Sequence, residues 1–285
     1  MKGIVLAGGT GSRLWPITKS VSKQLLPVYD KPMIYYPIST LMLAGVREIL
    51  IITTPGDQQA FQNLLGDGSN FGVNFIYGIQ PKPEGLAQAL VIAEEFLNGD
   101  SCLMILGDNI FHGAGLGHEL SRSLPTSGAH IFTYEVSNPN EYGVLVLDKD
   151  LKPSAVNEKP AEYISNLAIT GLYFFDKNVS AIAKTIKPSP RGELEITSVI
   201  DHYLIKNTLT FTALSRGTAW LDTGSPNSLN DAAQYVRIIE ERTGLKIACL
   251  EEIAFHQGWI ESEALVRIVR DNKNNMYGKY LARLL

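Results

Sequence analysis

The chain reads as an α/β protein with a Rossmann-like, mainly parallel mixed sheet flanked by helices, a smaller mixed β extension and a helical C-terminus. Three features of its 285 residues predict this. Short apolar runs bounded by Gly, Pro or Asp alternate with segments of helical spacing in the first 106 residues. Strand-like runs then follow one another with less helix between them over 129–175. After Asp222 the pattern becomes helical.

Taken in order, residues 3–7, 48–53, 73–77 and 101–106 are the strand-like runs. Their near-continuous apolarity predicts strands buried on both faces. Residues 32–44 and 86–97 are predicted helices; in the second, Leu86, Leu90, Ala93 and Leu97 make one stripe. Such alternation gives a parallel sheet with helices on both sides. The 129–175 region is expected to extend the sheet with mixed or antiparallel strands and to cover a ligand cleft. Beyond it, Ser225 can cap a helix, Pro226 suits its first position, Leu229, Ala232, Val236 and Ile239 line one face, and Gly244 can end it. No repeat, low-complexity tract or flexible linker interrupts the chain. The expected organisation is one domain over residues 1–285, with a core to about 224 and a helical extension from about 225.

Composition narrows the function. Hydrophobic residues make up 45% and charged residues 19% of the chain, as in a soluble globular protein rather than a disordered, collagenous or coiled-coil one. Twenty-five Lys and Arg against 29 Asp and Glu give a net charge of -4, so no general attraction to nucleic acid or anionic membrane is expected. An anionic ligand must therefore meet a local cationic site. Two cysteines, Cys102 and Cys249, are too few for a disulfide scaffold and lack zinc-site spacing, and His112 and His118 do not form a one-face helical pair. A cytoplasmic location is expected, with no signal-peptide core and no run near the ~20 residues of a membrane span.

The segment LAGGTGSRLWP, residues 6–16, follows the first strand, where glycine-rich backbone N–H groups can converge on phosphate. It is not a dinucleotide fingerprint, since Leu14 stands at the third glycine, and it is not a P-loop, since no Gly-Lys-Ser/Thr follows. A hydride-transfer enzyme is disfavoured. Instead the loop carries Arg13 and leads to Lys23, two permanent charges suited to a triphosphate. Asp108, in LGDN, stands at the carboxyl end of a buried strand, where open α/β sheets place ligands. With Asp222, in AWLD, it could hold Mg²⁺, a hard cation that favours carboxylates and bridges phosphates. In QPKPEGLAQA, Gln80 offers a donor and an acceptor side by side, and Gly85 leaves its backbone open to close approach. Because a glutamine amide can turn by half a rotation, Gln80 alone cannot reject cytosine; a fixed donor toward O4, or a second partner that locks the amide, is expected.

These motifs carry a resemblance. The opening LAGGTGSRLWPITKSVSKQLLPVYDKPMIYYPISTLMLAG, followed by QPKPEGLAQA, LGDNIF, EYGV, NEKP, TGLYFFD, RGELEIT, AWLDTG and GLKIACLEEIAF, resembles the sugar-phosphate nucleotidyltransferases along nearly the whole chain. Within that family it looks most like the members that join dTTP to glucose 1-phosphate. The resemblance implies transfer of a thymidylyl group to give dTDP-glucose and pyrophosphate by direct attack at the α-phosphorus, without a covalent protein intermediate. It implies a nucleotide site of Leu6, Gly8, Gly9, Thr10, Gly11, Arg13, Gln24, Gln80, Pro83, Gly85 and Asp108. Arg13, Lys23 and Lys159 are implied as catalytic, and Asp108 and Asp222 as the Mg²⁺ ligands. The sugar-phosphate side is implied to include Asn109, Gly143, Glu158, Lys159, Thr170, Tyr173 and Trp220, with Arg191 as a secondary contact. A homotetramer, and feedback by a dTDP-sugar at a second, inter-subunit site, are implied by family alone. Three positions depart from or divide the family: Glu84 where many relatives carry Asp, Asn157 in place of a common acid, and Gln24 where UTP-using relatives typically carry Glu. The alternatives are a UTP-dependent uridylyltransferase and a catalytically silent nucleotide-sugar sensor; in a sensor, drift should erase the metal and phosphate residues, all of which are present.

Overall fold

The computed structural model describes residues 1–9 and 11–285; Thr10 lies outside the described residues. In chain order its strands are β1 (Lys2–Ala7), β2 (Pro27–Val28), β3 (Lys31–Pro32), β4 (Glu48–Thr53), β5 (Asn74–Ile79), β6 (Cys102–Leu106), β7 (Asn109–His112), β8 (Ala129–Glu135), β9 (Gly143–Leu147), β10 (Pro153–Glu158), β11 (Leu167–Phe175), β12 (Leu209–Ala213) and β13 (Ala219–Asp222). Among the described residues, nine form one sheet in the order β10-β9-β11-β6-β1-β4-β5, with β8 bonded to both β11 and β12. β1 is parallel to β4 and to β6, and β4 is parallel to β5. The chain thus moves outward from β1 through β4 to β5, then returns to the other side of β1 at β6. That reversal is the switch point at which open α/β sheets leave a crevice outside the carboxyl ends of the strands.

Alternation along the parallel strands sorts their side chains onto two faces. Val5, Ile49, Ile51, Leu103 and Ile105 pack on one side with Ile38, Leu41 and Met42 from the helix Tyr35–Leu43. Ile4, Leu50, Ile52 and Met104 pack on the other, with Ala89 and Leu90 from the helix Gln88–Ile92 and with Val199 and Ile200 from the helix Ile196–Ile205. Each of these large apolar side chains contributes about 1.5–3 kcal/mol by leaving water. The free thiols of Cys102 and Cys249 are buried too, and burial pushes both up to about 12.

The fold class expected from sequence is observed, with local corrections. The third strand is Asn74–Ile79 rather than 73–77, because the parallel register with β4 continues to Thr53 opposite Ile79. The helix expected from residue 32 starts at Tyr35, since β3 pairs with β2 and the Ile34 N–H is taken by the Gln24 carbonyl. The 86–97 helix is two pieces, Gln88–Ile92 and Glu94–Leu97, and begins late because the Ala87 N–H donates to the Leu194 carbonyl. The mixed extension is present: β11 is antiparallel to β8 and to β6, β9 to β10, and β12 runs parallel to β8.

The helix Pro226–Thr243 has the ends its sequence predicts. The Ser225 side chain accepts from the Ser228 N–H, the Ser228 side chain returns the bond, and Gly244 closes the helix in the left-handed region at φ 70°. Its polar Glu240 is nevertheless buried, accepting from the Lys31 ammonium at 2.8 Å, the Lys246 ammonium at 3.0 Å and the Ile247 N–H at 2.9 Å. This network fastens the C-terminal helices to the turn at Asp30 and Lys31, and nothing in the helical pattern announced it.

His130 on β8 carries a pH dependence. Its ring nitrogens lie 2.8 and 3.0 Å from the hydroxyls of Thr210 and Thr212 on β12. Because the Thr210 hydroxyl donates to the Ala129 carbonyl, it accepts from Nδ1–H and leaves Nε2 to accept from Thr212, an arrangement that suits the neutral ring. Burial pulls the imidazole down to about 4 from an ordinary 6.5. The folded pKa lies below the unfolded one, so the unfolded chain binds the extra proton between these values, and stability is lost as pH falls from 6.5 toward 4. Denaturant titrations at steps across this window are expected to show a loss of up to about 3 kcal/mol, and His130→Gln is expected to flatten most of that slope. An unchanged slope in the variant would remove His130 as its source.

Candidate active site

A cleft of about 340 Å³ opens at the carboxyl ends of β1 and β6. This is within the range of small-molecule sites. Leu6, Gly9, Arg13, Gln24, Gln80, Pro83, Gly85, Asp108 and Asn109 line it on one side. Gly143, Glu158, Lys159, Tyr173, Arg191, Trp220 and Asp222 line the opposite side. Most residues singled out from sequence therefore face one space, although they are spread over more than 200 positions.

The acidic pair is built by two strands. β13 runs antiparallel to β7, which sets Asp222 across from Asn109, the residue after Asp108. The Thr223 hydroxyl donates to the Asp108 carbonyl at 2.8 Å and fixes the two strand ends together. Burial disfavours charge on Asp108, but the Lys23 ammonium, 2.5 Å away, outweighs it and holds this carboxyl below the usual range. Burial, and then the neighbouring charge of Asp108, push Asp222 upward, with Lys23 and Arg13 only partly offsetting them. Two coupled carboxylates with one ammonium in direct contact attract further cations. Among the described residues no three His, Cys, Asp or Glu side chains converge on a metal position. A cation held here would draw its other oxygen ligands from water or from phosphate, the habit of Mg²⁺ rather than of a fully caged ion.

The glycine loop supplies the cationic side. After β1 the chain makes single 3₁₀ turns at Ser12–Leu14, Ile17–Lys19 and Lys23–Leu25, with Gly11 left-handed at φ 61°. Arg13 is exposed, and its guanidinium reaches the backbone of Gly224, where a Cβ would lie 3.0 Å from Arg13 Nη2 and 3.1 Å from Asp222 Oδ1. Lys23 differs from expectation. It is only 6% exposed and lies behind Asp108 rather than on the cleft wall, because its ammonium is drawn onto the Asp108 carboxylate at 2.5 Å. Gly8 and Gly11 also sit behind the lining. Gly8 leaves room for Gln80, whose Oε1 would lie 2.2 Å from a Cβ there, and Gly11 packs on Thr18 and Lys23.

On the side expected to meet the base, Gln80 follows β5 and is buried. Gly85 stands at φ 112°, with Leu194 backbone atoms within 2.8 Å of a would-be Cβ, so the turn tolerates glycine alone. The residues on either side of it are zipped to Leu194, by Leu194 N–H to the Glu84 carbonyl, 2.7 Å, and Ala87 N–H to the Leu194 carbonyl, 3.0 Å.

On the side expected to meet the sugar phosphate, Glu158 ends β10 and accepts from the Thr197 hydroxyl at 3.1 Å. Lys159 follows in the left-handed region at φ 43°, held by its N–H to the Tyr142 carbonyl. Such a backbone is uncommon for a non-glycine residue, and strain of this kind collects at functional sites. Among the described residues Lys159 makes no ion pair, so its ammonium is uncommitted. Arg191, by contrast, is committed: its guanidinium bonds Glu195 at 2.8 and 3.2 Å and reaches Glu158 at 3.4 Å and Glu193 at 3.6 Å. Asn109 accepts from the Trp220 indole at 2.6 Å and donates to Asp108 at 3.0 Å, so it orients both. Burial, with Glu158 and Asp108 nearby, raises the Tyr173 phenol far above its ordinary value.

Thr170 is the residue the structure keeps away from the cleft. Ile169, Gly171 and Tyr173 of β11 face it, whereas Thr170 lies on the other face with its hydroxyl on the Phe132 carbonyl. Sequence reasoning missed Glu141, Tyr142, Glu195 and Thr197, all of which line the cleft. Tyr142 packs at a tilt against Trp220, with ring centroids 5.0 Å apart and planes at 57°. The EYGV and RGELEIT motifs contained these residues, but no local spacing marks which of their side chains turn inward.

Residues 2–237 match the family model described as nucleotidyl transferase. The chain is 55% identical over 284 residues to the glucose-1-phosphate thymidylyltransferase of Xanthomonas campestris pv. campestris, covering 99% of this chain and 96% of that one. It is 51% identical over 286 residues to the glucose-1-phosphate thymidylyltransferase of Neisseria meningitidis, covering 100% and 99%. A crystal structure of a Bacillus anthracis protein in complex with a sucrose superposes with a TM-score of 0.76 at 41% identity, covering 83% of this chain and 95% of that one. A family match over most of the chain, with relatives at half identity along its full length, shows that the chain belongs to the nucleotidyl transferase family and is a nucleotidyltransferase.

Proposed function

We propose that the chain transfers the thymidylyl group of dTTP to glucose 1-phosphate, giving dTDP-glucose and pyrophosphate. The observation that supports this reading is a single cleft lined by Gln80 and Gly85, by Asp108 and Asp222, and by Glu158 and Lys159, which the reading assigns to base, phosphate and sugar phosphate in turn. The names of the relatives at 51% and 55% identity support the choice of substrates.

In the proposed reaction, a phosphate oxygen of glucose 1-phosphate attacks the α-phosphorus of dTTP, a new P–O bond forms, and the bond to the β-phosphate oxygen breaks, releasing pyrophosphate. The nucleophile is already an anion at neutral pH, so no general base is needed. Catalysis reduces to positioning and charge stabilisation. Arg13 receives the triphosphate from the loop side, Lys159 holds the sugar phosphate, and Glu158 accepts sugar hydroxyls. Lys23 reaches developing pyrophosphate charge by exchanging its bond to Asp108 for one to phosphate. Asp108 and Asp222 would hold Mg²⁺, which when bound polarises phosphoryl oxygens and offsets their charge. The same reading includes a cytoplasmic location and a homotetramer with dTDP-sugar feedback, which rest on family likeness. Among the described residues no helix is long and apolar enough to cross a membrane.

Pyrophosphate release from glucose 1-phosphate with dTTP, dUTP, dCTP and UTP in turn tests the proposal. The thymine methyl, if buried, is worth about 0.8 kcal/mol, so dTTP is expected to exceed dUTP in kcat/KM by about fourfold. A dUTP penalty above about a thousandfold would sink the methyl argument, and turnover with none of the four would leave the sensor reading in its place.

A further inference from the structure

Gln80 lies between two groups that decide which way its amide points. Its Nε2 donates to Gln88 Oε1 at 2.7 Å and lies 3.3 Å from the Gly85 carbonyl. Gln88 in turn donates from Nε2 to Glu84 Oε2 at 2.8 Å. A carboxylate only accepts, so Gln88 must turn its NH₂ toward Glu84. Its carbonyl oxygen then faces Gln80, which must answer with NH₂. The amide sense of Gln80 follows from its acceptors, chiefly the short link through Gln88 to the acid two residues along the relay, with the longer bond to the Gly85 carbonyl in the same sense.

We propose that Glu84 and Gln88 form a hydrogen-bond relay that sets pyrimidine specificity, fixing Gln80 in the orientation that reads thymine and rejects cytosine. This rests on the reading of Gln80 as the base contact. Gln80 Oε1, the end pointing to Gly8, accepts no hydrogen bond among the described residues and remains for the N3–H of thymine, while both protons of Nε2 are committed, one to Gln88 Oε1 and one to the Gly85 carbonyl. Cytosine presents the reverse: an acceptor at N3 and an amino donor at position 4. Meeting it would require a half turn of Gln80. That turn sets Oε1 against Gln88 Oε1 and leaves two acceptors facing with no proton between them, unless Gln88 also turns and sets its own Oε1 against Glu84. Every member of the chain would have to be mispaired or rearranged to admit dCTP. Uracil has the same edge as thymine, so the relay leaves dUTP acceptable. Gln88 and Glu84 are positioning residues that act through Gln80.

The test is the ratio of kcat/KM for dTTP to that for dCTP, with glucose 1-phosphate as co-substrate, in the unaltered chain, Gln88→Met and Glu84→Gln. Glu84 is exposed and glutamine is its isostere, so this variant does not threaten the fold. The unaltered chain is expected to prefer dTTP by about 10² or more, and both variants to lower that ratio at least tenfold, chiefly by gaining dCTP use. The ratio of dTTP to dUTP should hold, a result that general damage to the cleft would not give. A dTTP to dCTP ratio unchanged in both variants, or comparable use of the two by the unaltered chain, overturns the relay. Gln80→Met separates the layers: if dTTP efficiency survives it, the base is read elsewhere and the underlying contact fails, whereas a loss there with unchanged ratios in the relay variants condemns the relay alone.

Discussion

Asp108→Asn and Asp222→Asn are each expected to lower turnover by about 10² or more, the size of a lost electrostatic contact to a transition state, yet to move stability in opposite directions. Asp108 neutralises an ammonium that is 6% exposed and 2.5 Å away. Asparagine there would leave Lys23 as a buried charge without its anion, a loss of about 1–3 kcal/mol for an ion only partly cut off from water. Asp222 is the strained partner, its carboxyl pushed up by burial and then by the charge of Asp108. The Asp222→Asn substitution relieves that repulsion, so the unfolding midpoint of this variant should equal or exceed that of the parent. Steady-state kinetics together with denaturant unfolding check both halves. Full activity in either variant removes that residue from the metal site, and equal destabilisation of the two contradicts the assignment of Lys23 to Asp108. Activity in the parent should also vanish in chelator and return with Mg²⁺.

Lys23→Ala and Lys159→Ala are expected to fail in different parameters. Lys23 is already paired with Asp108 behind the cleft wall, so a bond to phosphate gains most when charge develops on the leaving pyrophosphate. Its removal should lower kcat, by about 10² or more, with little change in KM for glucose 1-phosphate. Lys159 has no competing carboxylate among the described residues and meets sugar phosphate in the ground state as well, so its removal should raise that KM and lower kcat/KM with it. Identical profiles for the two variants would refute this division of roles.

What could be read from sequence was what local chemistry enforces. The glycine loop after a buried strand, the aspartate at the end of β6, and the Ser-Pro start and glycine stop of the helix Pro226–Thr243 each depend on a few adjacent residues, and each is found where expected. What escaped depends on contacts across the chain. Lys23 meets Asp108 over 85 positions, and Glu240 meets Lys31 over 209, so local spacing reads the first as free to reach substrate and the second as a solvated helix residue. Thr170 was within reach of reasoning, since alternation along β11 puts it opposite to Ile169 and Gly171. Gln88 was as well: it stands four residues after Glu84 at a helix start, the spacing at which side chains meet. Thr197 had no such signal, because only the packing of the helix Ile196–Ile205 on β10 brings it to Glu158.

The central claim is a direct displacement that needs both substrates in the cleft at once. Exchange of labelled pyrophosphate into dTTP measures it. The proposed chemistry predicts no exchange when the enzyme, Mg²⁺ and dTTP are alone with labelled pyrophosphate, and rapid exchange once glucose 1-phosphate is added, because only reversal from dTDP-glucose returns the label. Exchange at full rate without the sugar phosphate would mean a nucleotidyl group held on the protein, and would contradict the mechanism.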